Sequence, residues 1–202
     1  VSILNLPELA ISGYGCEDAF FNEYVLTRSL QSLEEIVEAT EGLTVCVGLP
    51  MSYEHCLYNV VAMIHDQELL GFVPKQMLPG DGIYYEPRWF KPWEEGLIAS
   101  YEWEGKTYPF GDIIFEINSV RIGLEICEDA WNGIRPAQDH YLYGVDVILN
   151  PSASNFAFGK SEVREMLVRE ASRAFNCTYV YSNLLGNEAG RIIYDGEILI
   201  AQ

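Results

Sequence analysis

Three residues of the 202-residue chain carry reactive groups directly behind apolar, strand-like segments. They are Glu8 in Asn5-Leu6-Pro7-Glu8-Leu9, Lys75 in Phe72-Val73-Pro74-Lys75-Gln76, and Cys127 in Gly123-Leu124-Glu125-Ile126-Cys127-Glu128-Asp129. The carboxyl ends of strands are where α/β folds collect ligands. A carboxylate set among apolar residues suits general-base work. A lysine ending a buried strand suits stabilisation of a developing oxyanion. A cysteine at a strand-to-turn junction exposes its sulfur beside free backbone N–H groups, as attack on a carbonyl requires. Each residue alone also has a structural reading: a solvated loop carboxylate, a lysine pointing to water, an inert buried thiol. The acids Glu125, Glu128 and Asp129 around Cys127 disfavour a thiolate, so a reactive Cys127 needs a dedicated base or a nearby cation. Its spacing to His140 is unlike that of a papain-type Cys–His pair, and His140 reads as a residue of a short helix. A Cys–Glu–Lys set is the constellation that remains.

These three residues must be positioned by strands. Val1–Leu6 reads as a buried strand stopped by Pro7. Glu17 to about Thr40 reads as a helix, with Phe21, Val25, Leu30, Leu33, Ile36 and Val37 near one face. Thr44–Leu49 is a strand ended by Pro50, and Leu57–His65 with Leu69–Pro74 forms a strand pair turning at Asp66–Glu68. Residues 76–95 form a long structured loop, and Gly105–Gly111 a turn region. Asp112–Ile117 and Val120–Ile126 form a hairpin across Asn118-Ser119. A short helix follows around Arg135–Tyr143, then a strand over Val145–Leu149 ended by Pro151. Lys160–Phe175 is a second amphipathic helix, with Val163, Met166, Leu167, Ala171, Ala174 and Phe175 turned inward. Thr178–Ser182 is a strand, and Ile192–Tyr194 with Glu197–Ala201 forms a closing hairpin around Asp195-Gly196. Strands alternating with helices and hairpins predict an α/β layered fold with mixed sheets in a single domain over 1–202.

Composition narrows the class. Thirty acids against twelve bases give a formal net charge of −18. Nucleic acid and anionic membrane surfaces are therefore unexpected partners. No apolar run reaches the roughly 18 residues of a membrane span. Five widely spaced cysteines (Cys16, Cys46, Cys56, Cys127 and Cys177) without a Cys-x-x-Cys motif argue against a disulfide framework or zinc site, and fit a reducing cytoplasm. His55, His65 and His140 lack metal-ligand spacing. The chain opens without Met and closes on a strand-like run, which reads as a segment cut from a longer chain.

The three strand-end segments, in this order, resemble the nitrilase (carbon–nitrogen hydrolase) superfamily. Neighbouring text extends the likeness to the glutaminase domains of glutamine-dependent NAD synthetases. It comprises Pro7-Glu8-Leu9-Ala10-Ile11-Ser12-Gly13-Tyr14-Gly15-Cys16-Glu17-Asp18, Pro74-Lys75-Gln76, Tyr84-Tyr85-Glu86-Pro87-Arg88-Trp89-Phe90 through Pro92-Trp93, and Pro109-Phe110-Gly111-Asp112. Glu125-Ile126-Cys127-Glu128-Asp129-Ala130-Trp131, Asn150-Pro151-Ser152-Ala153-Ser154 and Tyr194-Asp195-Gly196 continue it.

The resemblance implies a four-layer αββα sandwich, present here without the family's first strand and helix and without the last part of the domain. It implies Cys127 as nucleophile, Glu8 as general base, Lys75 as the oxyanion-binding cation and Glu86 as a second glutamate beside Lys75. Tyr84, Ser154 and Lys160 match glutamine-binding positions, and the Glu128 backbone N–H joins Lys75 at the oxyanion. A cation at Lys160 has a physical reason, since a glutamine α-carboxylate needs one in an acidic protein. The implied reaction is hydrolysis of the glutamine side-chain amide, with no cofactor and no metal. ATP, Mg and deamido-NAD belong to a covalently linked synthetase domain that this sequence lacks. The resemblance further implies a homo-oligomer. Two other readings are a stand-alone nitrilase-type amidase or carbamoylase and a non-catalytic assembly domain.

Overall fold

Strands β2 (Thr44–Tyr53) and β3 (Cys56–His65) are apolar on both faces, and each face meets a different layer. That is the pattern of a sheet covered on both sides. The computed structural model describes residues 2–188 and 192–202. A six-stranded sheet runs in the order β1-β2-β3-β4-β6-β5, adding β1 (Ile3–Asn5), β4 (Glu68–Pro74), β5 (Ile98–Trp103) and β6 (Lys106–Gly111). A five-stranded sheet runs β13-β10-β9-β8-β7, built from β7 (Phe115–Ile117), β8 (Val120–Leu124), β9 (Val147–Ser152), β10 (Thr178–Asn183) and β13 (Ile198–Ala201). A small third sheet pairs β11 (Leu185–Glu188) with β12 (Ile192–Asp195).

Three clusters define the layers. Leu33 of α1 (Glu23–Glu38) packs with Val45, Val47, Leu49, Val60 and Ile64 on the outer face of the first sheet. Cys46, Val61, Met63 and Val73 meet Phe115, Ile122, Leu124 and Leu149 between the sheets. Val168 and Ala171 of α3 (Lys160–Phe175) and Ala137 of α2 (Ala137–Leu142) cover Ile148, Tyr179 and Tyr181 on the far side. The order helix, sheet, sheet, helices is the expected αββα sandwich.

Several elements depart from the sequence reading. The helix expected from Glu17 is two pieces: a kinked 3-10 stretch over Tyr14–Phe21, then α1 capped by the Asn22 side chain, which accepts from Tyr24 N at 2.9 Å. Phe21, expected on the inner face, is exposed, and Phe20 is buried instead. Pro50 and Pro151 do not stop their strands. In β2, the backbone groups of Cys46 and Gly48 point toward β1, accepting from Leu6 N and Ile11 N. Pro50 shares that parity, but β1 pairs no further than Asn5 with Cys46, so no ladder bond is lost. Pro151 likewise faces β8, which ends at Leu124 opposite Leu149. The expected turn region at Gly105–Gly111 is instead strand β6, paired with the unforeseen β5 through a two-residue turn whose Glu104 and Gly105 have φ 49° and 72°.

The closing hairpin is also corrected. β12 pairs with β11 and β13 with β10, because the chain changes sheets at Asp195-Gly196. In α3 the inward face carries Arg164, Val168, Ala171 and Ser172. Val163, Met166 and Ala174 are exposed. The rotation follows from Arg164, whose guanidinium is held inside by Asp195 (2.6 Å) and Glu197 (2.9 Å). Val1, at the start of the first predicted strand, lies outside the described residues. The five cysteines are free thiols. No helix among the described residues is long and apolar enough to cross a membrane.

Two positions test this packing. A Cβ on Gly48 would lie 2.3 Å from Leu9 N and 3.1 Å from the Glu8 carbonyl carbon, backbone that cannot swing aside. Gly48→Ala is expected to lower stability by about 1–3 kcal/mol or more, read from the denaturant midpoint. His140 is buried against Gly123, and burial lowers its pKa to about 4 from the usual 6.5. The native state therefore rejects a proton that the unfolded chain accepts. Its contribution is fully present above pH 6.5 and is lost as pH falls toward 4. The loss amounts to roughly 3 kcal/mol. Comparing unfolding of wild type and His140→Gln at pH 8 and pH 4.5 should show that the variant lacks this part of the acid sensitivity.

Candidate active site

The ends of β1, β4 and β8 meet at one edge of the sandwich. Glu8 follows β1 and is fully buried beside Leu9, whose φ of 51° turns the chain sharply. Lys75 follows β4 and is also fully buried. Glu86 lies in a one-turn 3-10 segment, Glu86–Arg88, of the long loop. Arg88 and Trp89 hold this segment against the first loop through Asp18, at 2.6–2.9 Å. Cys127 opens a 3-10 turn, Cys127–Trp131, with φ 47°, a left-handed conformation that a non-glycine residue seldom adopts. Backbone strain of this kind concentrates where a side chain must be aimed.

Lys75 Nζ donates to Glu8 Oε1 at 2.6 Å and to Glu86 Oε1 at 2.8 Å. Asn59 Nδ2 also donates to Glu8 Oε1 at 2.7 Å, and Tyr14 Oη donates to Glu86 Oε1 at 2.6 Å. Burial disfavours the Lys75 ammonium, but Glu8 and Glu86 outweigh it and hold the lysine protonated. Burial pushes Glu86 upward, against the pull of Lys75.

Glu8 Oε2 accepts from the Ala153 N–H at 2.9 Å, and the same N–H faces the Cys127 sulfur. Burial and then Glu8 push the Cys127 thiol up, while Lys75 pulls it down. At rest the sulfur therefore carries its proton. Glu8 Oε1 is taken by two donors and Oε2 by one, so a lone pair that can receive a proton remains on Oε2, on the side of Ala153 and Cys127.

The turn carrying Cys127 is clamped by Asp129. Its Oδ1 accepts from Gln76 N (3.1 Å) and Met77 N (2.7 Å), and its Oδ2 accepts from Ile126 N (2.8 Å). The segment after Lys75 is thereby tied to the segment bearing the thiol. Below it, buried Glu125 accepts from Tyr179 Oη (2.7 Å) and Ala137 N (2.9 Å) and pairs with Arg135 (3.0 Å). Glu128 is half-buried in the first turn, where backbone N–H groups lack intrahelical acceptors.

A second group lies beyond β9. Tyr84 Oη donates to Asn155 Oδ1 at 2.8 Å, and Lys160 Nζ donates to the same oxygen at 2.6 Å. The Lys160 ammonium stands 5.8 Å from the Tyr84 ring centroid. Burial followed by Arg164 lowers the Lys160 pKa, and a charge on Cys127 raises it, so the two groups act on one another. Ser154 is buried, with its backbone fixed by Asn183 and Arg164. The structure thus brings Glu8, Lys75 and Glu86 into contact around Cys127, and gathers Tyr84, Lys160 and Ser154 beside them.

Sequence reasoning missed several partners. Asn59 interrupts an otherwise apolar strand, a usable signal of a buried polar contact. Tyr14 and Asp129 lay within the quoted motifs without a role. Nothing in the sequence marked Asn155 or the buried Arg164. Among the described residues no group of three or more His, Cys, Asp or Glu is arranged to hold a metal ion.

Comparison with known proteins agrees with this fold. The carbon–nitrogen hydrolase family profile matches residues 1–200. Glutamine-dependent NAD(+) synthetases of mouse and human are 34% and 32% identical over 96% of this chain, which spans 28% and 29% of their lengths. A crystal structure of a glutamine-dependent NAD(+) synthetase from Cytophaga hutchinsonii is 46% identical, with a TM-score of 0.94, over 100% of this chain and 33% of that one. An amidase of the nitrilase superfamily from Nesterenkonia, 19% identical, shares the fold with a TM-score of 0.75 over 99% of this chain and 69% of its own. A buried Glu–Lys–Glu cluster set around a strained cysteine, in an αββα sandwich matched by the family profile over nearly its whole length, makes the chain a member of the carbon–nitrogen hydrolase family.

Proposed function

We propose that this chain hydrolyses the side-chain amide of glutamine through a thioester on Cys127, and that the ammonia supplies NAD synthesis in a linked synthetase domain. The observation that carries the reading is Lys75, buried between Glu8 and Glu86 at 2.6 and 2.8 Å and acting on the Cys127 sulfur. The names of the relatives, all glutamine-dependent NAD(+) synthetases in mouse, human and Cytophaga, support glutamine as the amide. Lys160 beside Tyr84 supplies the cation that an α-carboxylate needs.

The steps follow from the positions. Glu8 Oε2 takes the Cys127 proton as the sulfur attacks the amide carbon. The carbonyl electrons move to oxygen, and that oxyanion is met by Lys75 Nζ and the Glu128 N–H. Lys75 is already charged, desolvated and fixed, so no reorganisation is needed as the negative charge appears. The carbon–nitrogen bond breaks as Glu8 returns its proton to nitrogen, releasing ammonia. Water then gives a proton to Glu8 and attacks the thioester. The carbon–sulfur bond breaks, and the thiolate recovers the proton from Glu8. The sum is glutamine plus water to glutamate plus ammonia.

A thiol with a raised pKa is unreactive until base, cation and substrate are aligned. A diazo-ketone analogue of glutamine should therefore add once, at Cys127, with excess glutamine blocking the adduct and Cys127→Ala lacking it by intact mass. Adducts spread over the other cysteines, or none on a folded protein, would reject the assignment. Lys75→Ala should lose roughly 100–1000-fold in kcat, with a smaller change in KM. Because this variant also leaves Glu8 and Glu86 buried together, near-UV circular dichroism should accompany the kinetics. A folded Lys75→Ala protein with kcat near wild type would remove Lys75 from the oxyanion role.

A further inference from the structure

Asn155 holds the substrate-side group together, although nothing in the sequence marked it. Its Oδ1 receives two hydrogen bonds, from Tyr84 Oη at 2.8 Å and from Lys160 Nζ at 2.6 Å, which uses both lone pairs of that oxygen. Its backbone N–H donates to Tyr84 Oη at 2.7 Å, and its Nδ2 donates to Phe156 O at 3.0 Å. Its carbonyl oxygen is gripped by Arg164 Nη2 at 2.9 Å. Arg164 is itself buried and anchored by Asp195 and Glu197, so the residue has a fixed platform.

The donor count decides what this arrangement can recognise. Tyr84 has one hydroxyl hydrogen, and Asn155 Oδ1 takes it. Tyr84 is left with no donor for an anion. Lys160 has three N–H donors and spends one on Asn155, keeping two for a ligand. The Asn155 amide is neutral, so it orients the ammonium without cancelling its charge. An aspartate at this position would keep the two contacts at Oδ1, lose the one to Phe156 O and neutralise Lys160.

We propose that Asn155 is a positioning residue that confers preference for amides bearing a carboxylate, by aiming at that carboxylate the one group left to bind it, the Lys160 ammonium. The inference rests on the glutaminase reading and adds to it the residue that sets carboxylate recognition. In a chain of net charge −18, one correctly aimed ammonium is decisive for an anionic group.

The test compares L-glutamine with 4-aminobutyramide, which keeps the amide and the ammonium but lacks the carboxylate, in the full-length protein. Ammonia release gives kcat and KM. If the second amide is too slow to assay, its inhibition constant against glutamine is read instead. Asn155→Asp should raise the KM for glutamine about tenfold, since roughly 1.4 kcal/mol of charge-assisted binding is lost. Its kcat should stay within about twofold, and the constant for 4-aminobutyramide, a cation relieved of Lys160's repulsion, should not rise. Asn155→Ala should move the same way, with a smaller glutamine effect, because Lys160 keeps its charge but loses its aim. Should the alanine variant fold poorly, the near-isosteric aspartate carries the test. Equal changes for both amides, or none for glutamine, would overturn the role of Asn155. A wild-type protein that does not hydrolyse glutamine would instead refute the glutaminase reading, so the two failures are separable.

Discussion

A single ammonium organises this molecule. Lys75 lies in the interior with two carboxylates within 2.8 Å, and burying any one of these three charges alone would cost several kcal/mol. They are tolerable only together, with further hydrogen bonds to the carboxylates. Asn59, Tyr14 and the Ala153 N–H supply three of these, from β3, the first loop and the end of β9, while Glu86 Oε2 is left without a hydrogen-bond partner. The cation therefore fixes the mutual positions of both large sheets. Asp129 then carries the same registration to the thiol by binding the backbone on either side.

Catalytic capacity and cost of folding are here the same feature. In the proposed reaction a preformed, buried charged cluster stabilises the developing oxyanion without rearranging, because its desolvation was met during folding. The strain at Leu9 and Cys127 belongs to that arrangement. Both residues adopt left-handed backbone at strand ends, where the chain must turn abruptly to present a side chain to a common centre.

The sequence was most legible where chemistry and periodicity coincide. Glu8, Lys75 and Cys127 were each visible as reactive types behind apolar runs, and Lys160–Phe175 is a helix at the predicted boundaries. What was hidden depends on tertiary context. A proline stops a strand only if its missing N–H faces a neighbour, and the extent of β1 and β8 is not written at Pro50 or Pro151. The inward face of α3 contradicts simple hydrophobicity because Arg164 is worth burying when Asp195 and Glu197 return to meet it. The pairing of β12 with β11 rather than with β13 likewise turns on where the chain changes sheets. Asn155 has an ordinary residue type on a loop, and its importance lies wholly in what it touches.

The two prolines that extend beyond their neighbours have another consequence. Past the last pairs with β1 and β8, β2 and β9 run on as buried edges met by loops: Ile11 N donates to Gly48 O, and the Asn150 side chain donates to Glu125 O. At Pro50 and Pro151 the donor that would continue the pairing is missing, so β1 and β8 have no ladder to follow further. The chain leaves both strands at these points and turns through left-handed backbone at Leu9 and Cys127. Glu8 and Cys127 thus stand on turns that face one another, instead of serving as rungs of a sheet.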